Sequence, residues 1–433
     1  MVTRRTFLAI AGGVVVVAIV AGTGYYYLTR PAPTPPPPTP PPPPPPPAAP
    51  KITIPALVDK SGATSDVGVD YAWGAENAAK WINEKEGGIP GIGKFDFVST
   101  DYAYRIPEAI ATYERYKATY NPPVIIGWGT GDTEALSPSI AKDQIVYISA
   151  SYSSHLNDPA KTPYNFYPVC SYSDQMRAAI IWMKDYWTKE LKKTVPPKIC
   201  FAYDFGVPYC RAPIPAGKAL AAELGFEIGP DQNCSQRGAD FSSQVLAMKT
   251  FGANFVWMGN TTATAAVLAK DMKKHGLEAL LMINQWGHDE NLVKLAGEAA
   301  EGVHGMSGHY YWGFEAECPA LVNPLRESVK LYGPKDYFPI SSYIRGWINV
   351  RCAVLAIADA WAKFKEVSGP KVKEAMESWK DKVIEGTIVP PVTFTGADHR
   401  PNTKAIVLKI EGGKYKKASD WIEIERKAAW LGW

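Results

Sequence analysis

No Cys-x-x-Cys pair occurs among the six cysteines, and no histidine stands at zinc-ligand spacing from them. The common structural zinc sites are therefore excluded. The six histidines are scattered, none pairs with a Ser or Cys in a nucleophile elbow, and Gly-x-Ser-x-Gly is missing. An enzyme using such a set is disfavoured, and no catalytic residue or cofactor is assigned. An excess of one charge is also missing. Of the 46 Lys and Arg, three (Arg4, Arg5, Arg30) fall in the first fifty residues, which hold no acid, so residues 51–433 carry 43 basic against 43 acidic side chains. A neutral body excludes the basic footprint of a nucleic-acid binder.

What is there begins at the N-terminus. Phe7–Leu28 is a 22-residue stretch without charge, and Pro31–Pro50 holds only Pro, Ala and Thr. The first is long enough to cross a bilayer as a helix. The second, as an extended polyproline stalk, would hold its cargo about 60 Å away. Arg4 and Arg5 before the span, against Arg30 after it, place the N-terminus in the cytoplasm and the body outside. Thr3-Arg4-Arg5-Thr6-Phe7-Leu8 has the form of a twin-arginine export signal. Small residues at Ala21–Gly24 permit cleavage, but a retained anchor better explains the stalk. No cysteine near the span's end supports a lipoprotein anchor.

The body alternates strand and helix. Ile52–Val58 reads as a strand, and Tyr71, Ala75, Ala78 and Ile82 share one helix face. Strands at Phe95–Ser99, Val124–Gly127 and Ile145–Ser149 follow, with helices between. After Cys170 the cadence returns: strands near Ile199–Ala202, Phe255–Gly259, Leu280–Asn284 and Val303–Ser307, again with helices between. Two such runs predict two Rossmann-like lobes with parallel sheets. The six cysteines are then either disulfide partners outside the cell or buried thiols.

Ligands of such sheets bind at the carboxyl ends of strands. Gly127-Trp128-Gly129-Thr130-Gly131-Asp132-Thr133 follows a strand and opens a helix, without the spacing of a P-loop or a dinucleotide fingerprint. It is a carboxylate site or an ordinary tight turn. Ser149-Ala150-Ser151-Tyr152-Ser153-Ser154 offers hydroxyls. Asp204–Tyr209, Asn260-Thr261-Thr262 and Gln285-Trp286-Gly287-His288 each follow a strand in the second half, and Tyr310-Tyr311-Trp312 follows another near the lobe junction. Asn233 and Asn260 each begin Asn-x-Ser/Thr and are candidate glycosylation acceptors.

Several segments, in order, resemble the branched-chain amino-acid-type solute-binding proteins of ABC importers, periplasmic binding proteins of type 1. They are Ser61-Gly62, Gly74-Ala75, Ile82-Asn83, Gly87-Gly88-Ile89, Ile148-Ser149-Ala150, Ala299-Ala300-Glu301-Gly302-Val303 and Ala397-Asp398-His399-Arg400-Pro401. The resemblance covers about residues 51–433. It implies an α/β Venus-flytrap: lobe one from 51–168 plus 304–388, lobe two from 169–303 plus 389–433, a three-strand hinge, and residues 1–30 and 31–50 as anchor and linker. It implies a small-molecule solute, permease and ATPase partners, and a place on the extracytoplasmic face. By position it assigns ligand contacts to Thr130, Gly131, Ser151, Ser153 and Tyr209, and the strand-end loops add Thr261 and Trp286 as candidates. Two departures stand out. Val67 replaces an aromatic common in amino-acid binders, and Trp286 stands where they carry the acid that pairs with the ammonium. The ligand class therefore stays open between an amino acid and a carboxylate or amide lacking the amine. A ligand sensor with the same lobes is the alternative.

Overall fold

The computed structural model describes residues 4–29 and 49–433, without the side chains of residues 4–10, 12 and 27. Helix α1 (Arg4–Thr29) is a unit apart from the body that begins at Ala49. Among the described residues no helix is long and apolar enough to cross a membrane, so the structure adds no support to the expected span. The stalk expected over Pro31–Pro50 lies almost wholly outside the described residues.

Among the described residues the body holds two sheets. The first is all parallel, with order β2-β1-β3-β4-β5: β1 (Thr53–Val58), β2 (Asp96–Asp101), β3 (Val124–Ile126), β4 (Val146–Ile148) and β5 (Asn165–Phe166). Its helices are α2 (Ser65–Lys85), α3 (Ile106–Tyr120) and α4 (Thr130–Asp143). The second sheet contains β6 (Lys198–Tyr203), β7 (Glu227–Ile228), β8 (Gln232–Asn233), β9 (Phe255–Gly259), β10 (Leu280–Ile283), β11 (His304–Ser307), β12 (Lys404–Glu411), β13 (Lys414–Lys417) and β14 (Ile422–Glu423). Strands β6 to β11 are parallel, and β12 joins antiparallel to β11. Its helices are α5 (Tyr172–Asp185), α6 (Pro208–Arg211), α7 (Ile214–Glu223), α8 (Ser242–Phe251), α9 (Thr262–His275) and α10 (Glu290–Ala296). The near-continuous apolar runs of β3, β4 and β9 are buried along their whole length, as parallel strands covered on both faces require.

After β11 the chain returns to the first lobe as α11 (Glu327–Tyr332), α12 (Ser342–Phe364) and α13 (Gly369–Met376). It then crosses back to β12, so three segments link the lobes. Two expected boundaries move. His304–Ser307, assigned to lobe one from the sequence, pairs with β10 and β12 and belongs to the second sheet. Residues 389–402, assigned to lobe two, stay on the first. Phe394 packs edge-on to Phe166 at 5.2 Å, and the His399 ring stacks on Phe166 at 4.0 Å. Strand periodicity marks a strand but not the sheet that accepts it. All six cysteines are buried free thiols. Asn260 is fully buried and cannot accept a glycan once folded, whereas Asn233 is exposed.

Helix α12 is packed against α2 closely enough that glycine is needed on both. A Cβ on Gly74 would lie 2.0 Å from the Tyr343 carbonyl oxygen, and one on Gly346 would lie 1.9 Å from that of Tyr71. Backbone cannot give way as a side chain tip can. Gly74→Ala is expected to lower unfolding free energy by about 1–3 kcal/mol, read from chemical denaturation. An unchanged midpoint would mean that the helices separate freely.

Candidate ligand-binding site

The cleft is built from strand ends. After β1, the buried Asp59 carboxylate folds the loop back on itself, accepting from Gly62 N at 2.5 Å and from Thr64 N and Oγ1 at 2.8 and 2.6 Å. Thr64 Oγ1 in turn accepts from Trp128 Nε1 at 2.9 Å. That bond sets Trp128, in the loop after β3, against the cleft. Gly129 caps α4, and a Cβ there would meet Asp132 and the Tyr104 ring at 2.4 and 2.5 Å. Asp132 reaches back to Gly129 N at 3.3 Å and accepts from Tyr102 Oη at 2.8 Å, the carboxylate half of a capping box.

Thr130 opens α4 and is fully buried. Its Oγ1 shares hydrogen bonds with Ser151 Oγ at 2.7 Å and Ser153 Oγ at 3.0 Å. The two serines thus hold the threonine, and the threonine faces the cleft. The second lobe supplies the opposite wall. Tyr209 Oη donates to Asn260 Oδ1 at 3.1 Å, and that oxygen also accepts from Thr261 N at 2.8 Å. Asn284 Oδ1 accepts from Trp286 N and Gly287 N at 3.0 and 2.9 Å, which turns the loop after β10. Trp286 Nε1 then donates to Tyr172 Oη at 2.6 Å. The Trp286 ring meets Trp128 at 5.0 Å in a T-shaped contact and stacks on Tyr152 at 5.9 Å.

These groups leave a narrow, partly open cleft of about 20 Å3, lined by Thr64, Val67, Tyr104, Trp128, Gly129, Thr130, Ala150, Tyr172, Tyr209, Thr261 and Trp286. Of the seven sequence candidates, Thr130, Tyr209, Thr261 and Trp286 line it. Ser151 and Ser153 lie behind Thr130. Gly131 does not line it; a Cβ there would lie 3.5 Å from Ile106 and 3.6 Å from Pro208. Tyr104 was not legible. It sits with Ala103 in two successive left-handed residues, φ 55° and 53°, and neither is the Gly or Asn that usually marks that backbone. Trp128, Gly129 and Ala150 stood in loops already singled out, while Thr64 and Tyr172 carried no signal of their own.

The lobes are closed on each other. Ala263 N donates to Asp66 Oδ2 at 3.2 Å, across the cleft to the start of α9. In the other direction, Ser341 N and Oγ both donate to Glu290 at 2.7 Å, at the start of α12. Gln236 Nε2 donates to the Ala63 carbonyl at 3.0 Å, and Arg237 donates to the Gly62 carbonyl. Arg345 donates to the Gln285 carbonyl at 2.6 Å.

The family model described as periplasmic binding protein matches residues 51–414. The chain belongs to the periplasmic binding protein family, as a type 1 member of the kind that serves ABC importers. Its fold is similar to an ABC transporter substrate-binding protein from Aeropyrum pernix, at TM-score 0.77 and 30% identity over 88% of this chain and 98% of that one. It is also similar to a branched-chain amino acid ABC transporter protein from Thermus thermophilus with bound valine, at TM-score 0.79 and 25% identity over 87% and 97%. A Leu/Ile/Val-binding protein homolog of Brucella abortus is 25% identical over 57% of this chain. The chain spans 64% of the length of that curated relative.

Two measurements test this geometry. Trp286→Ala removes the wall on which two ring contacts and a hydrogen bond converge and is expected to weaken solute binding at least about tenfold, roughly 1.4 kcal/mol. Unchanged affinity by calorimetry would remove Trp286 from the site. The second concerns Asp132, whose carboxyl is pushed up to about 7 by burial, against the pull of its hydrogen bonds from Tyr102 and the backbone. The unfolded group titrates near 3.8, so between these values the native state holds a proton that the unfolded chain has released. That contribution to stability is complete below the lower value and is lost as pH rises through the higher one. Asp132→Asn should shrink the fall in melting temperature between about pH 5 and pH 8. Equal falls in both proteins would contradict it.

Proposed function

We propose that the protein is the extracytoplasmic solute-binding subunit of an ABC importer, closing two lobes on a small solute and presenting it to a membrane permease. The observation that carries this is the cleft itself: both sheets contribute strand-end loops to one narrow cleft, and hydrogen bonds cross it from either side. The Thermus protein's bound valine supports a branched-chain or other amino acid, or a small carboxylate of similar bulk. Thr130 and the first turn of α4 are the expected seat for a carboxylate, since free backbone N–H groups and the helix dipole favour an anion there. Ser151 and Ser153 orient the Thr130 hydroxyl, and Tyr209, Thr261 and Trp286 close on the solute from the other lobe.

The sequence alone, with its uncharged run at Phe7–Leu28, supports a tether at the membrane, with a twin-arginine signal directing export and the proline-rich segment as spacer. No residue is assigned to a reaction, and the cleft is read as a receptor.

The test is the solute itself. Protein purified gently and then unfolded is expected to release a small carboxylate identifiable by mass spectrometry, and adding it back should raise the melting temperature. Release of a chemically altered product from added solute would point instead to an enzyme.

A further inference from the structure

The cleft lining contains hydroxyls, indoles, phenol rings and backbone, but no ionised side chain. That constrains the solute. A buried ammonium costs a great deal unless a carboxylate pairs with it. Two acids stand near the second-lobe wall, Asp289 engaged and Asp66 engaged through one oxygen only. Asp289 accepts from Thr262 Oγ1 at 2.6 Å and from Asn291 N at 2.9 Å. Asp66 spends Oδ2 on the start of α9, while its Oδ1 has no partner. Neither lines the cleft.

The charge that does back the wall is positive. Arg345, on α12 of the first lobe, is fully buried, with its guanidinium 4.4 Å from the centre of the Trp286 ring. It donates to the Gln285 carbonyl and, at 3.1 Å, to Ser342 Oγ, and its Nε has no partner. None of these partners is a carboxylate. Across the cleft, the first turn of α4 and the Thr130 hydroxyl add a second electropositive end. Both ends of the cleft therefore favour negative charge, and the walls between them, Val67, Trp128, Tyr209 and Trp286, are apolar or aromatic.

We propose that the cleft selects a small amine-free carboxylate with an apolar or aromatic body, and that Trp286 backed by Arg345 is what disfavours the zwitterion. This rests on the receptor reading above and narrows its solute.

Matched pairs test it: leucine against 4-methylpentanoate, phenylalanine against 3-phenylpropionate, and the corresponding amides, titrated into the full-length protein by calorimetry with thermal shift alongside. The acids are expected to bind at least about tenfold more tightly than both the amino acids and the amides. Amino acids binding as tightly as the acids, or amides doing so, would overturn the proposal and leave the receptor reading intact. Failure of every acid, amide and amino acid, in a protein that also releases no solute on unfolding, would count against both.

Arg345→Gln is expected to narrow the ratio of acid to amino-acid affinity, a ratio that a purely structural role would leave unchanged. Because that variant may misfold, Trp286→Glu is the companion: it supplies the missing carboxylate and should shift preference toward the amino acid by about tenfold. Asp66→Asn separates the remaining case. If it selectively abolished amino-acid binding, Asp66 would be the ammonium partner and the proposal would fall.

Discussion

Trp286 and Trp128 meet edge to face at 5.0 Å, one ring from each sheet. The rest of the cleft depends on this contact. Each ring is pinned by its own hydrogen bond, Trp128 to Thr64 and Trp286 to Tyr172, so neither can slide without breaking a buried polar pair. The distance between the rings sets how far the lobes close and how much room a solute keeps. The same contact explains the polar scaffolding behind it. Asp59 shapes the loop that carries Thr64, and Asn284 shapes the loop that carries Trp286. These buried side chains contact backbone and hydroxyls that hold the rings.

Much of the architecture was legible, because βα alternation is written in periodicity and in the turn residues between elements. The strands at the hearts of both sheets lie where the apolar runs place them. The allocation of segments to lobes was less legible. A strand such as β11 reads the same whichever sheet accepts it, and the partner that decides, β12, lies about a hundred residues further on. Residues 389–402 were misplaced for a similar reason: Phe394 and His399 are held by Phe166, a contact with no local signature.

The cleft divides in the same way. Thr130, Tyr209, Thr261 and Trp286 sit in loops after strands, where position alone marks them. Gly131 was named beside Thr130, and a Cβ there would face Ile106 and Pro208. Ser151 and Ser153 were chosen for their hydroxyls, which the fold turns toward Thr130. Tyr104 depends on a backbone excursion that its neighbours' identities conceal.

One further feature reaches beyond the cleft. Asp66 of the first lobe sits at the start of α9 in the second, while Glu290 of the second sits at the start of α12 in the first. Each half of the clamshell thus lends an acid to a helix belonging to its mate. When the halves swing apart, two helix ends lose their caps together, and water must fill in. Some of the force that shuts the jaws therefore comes from the protein's own contacts, and cargo adds to that force.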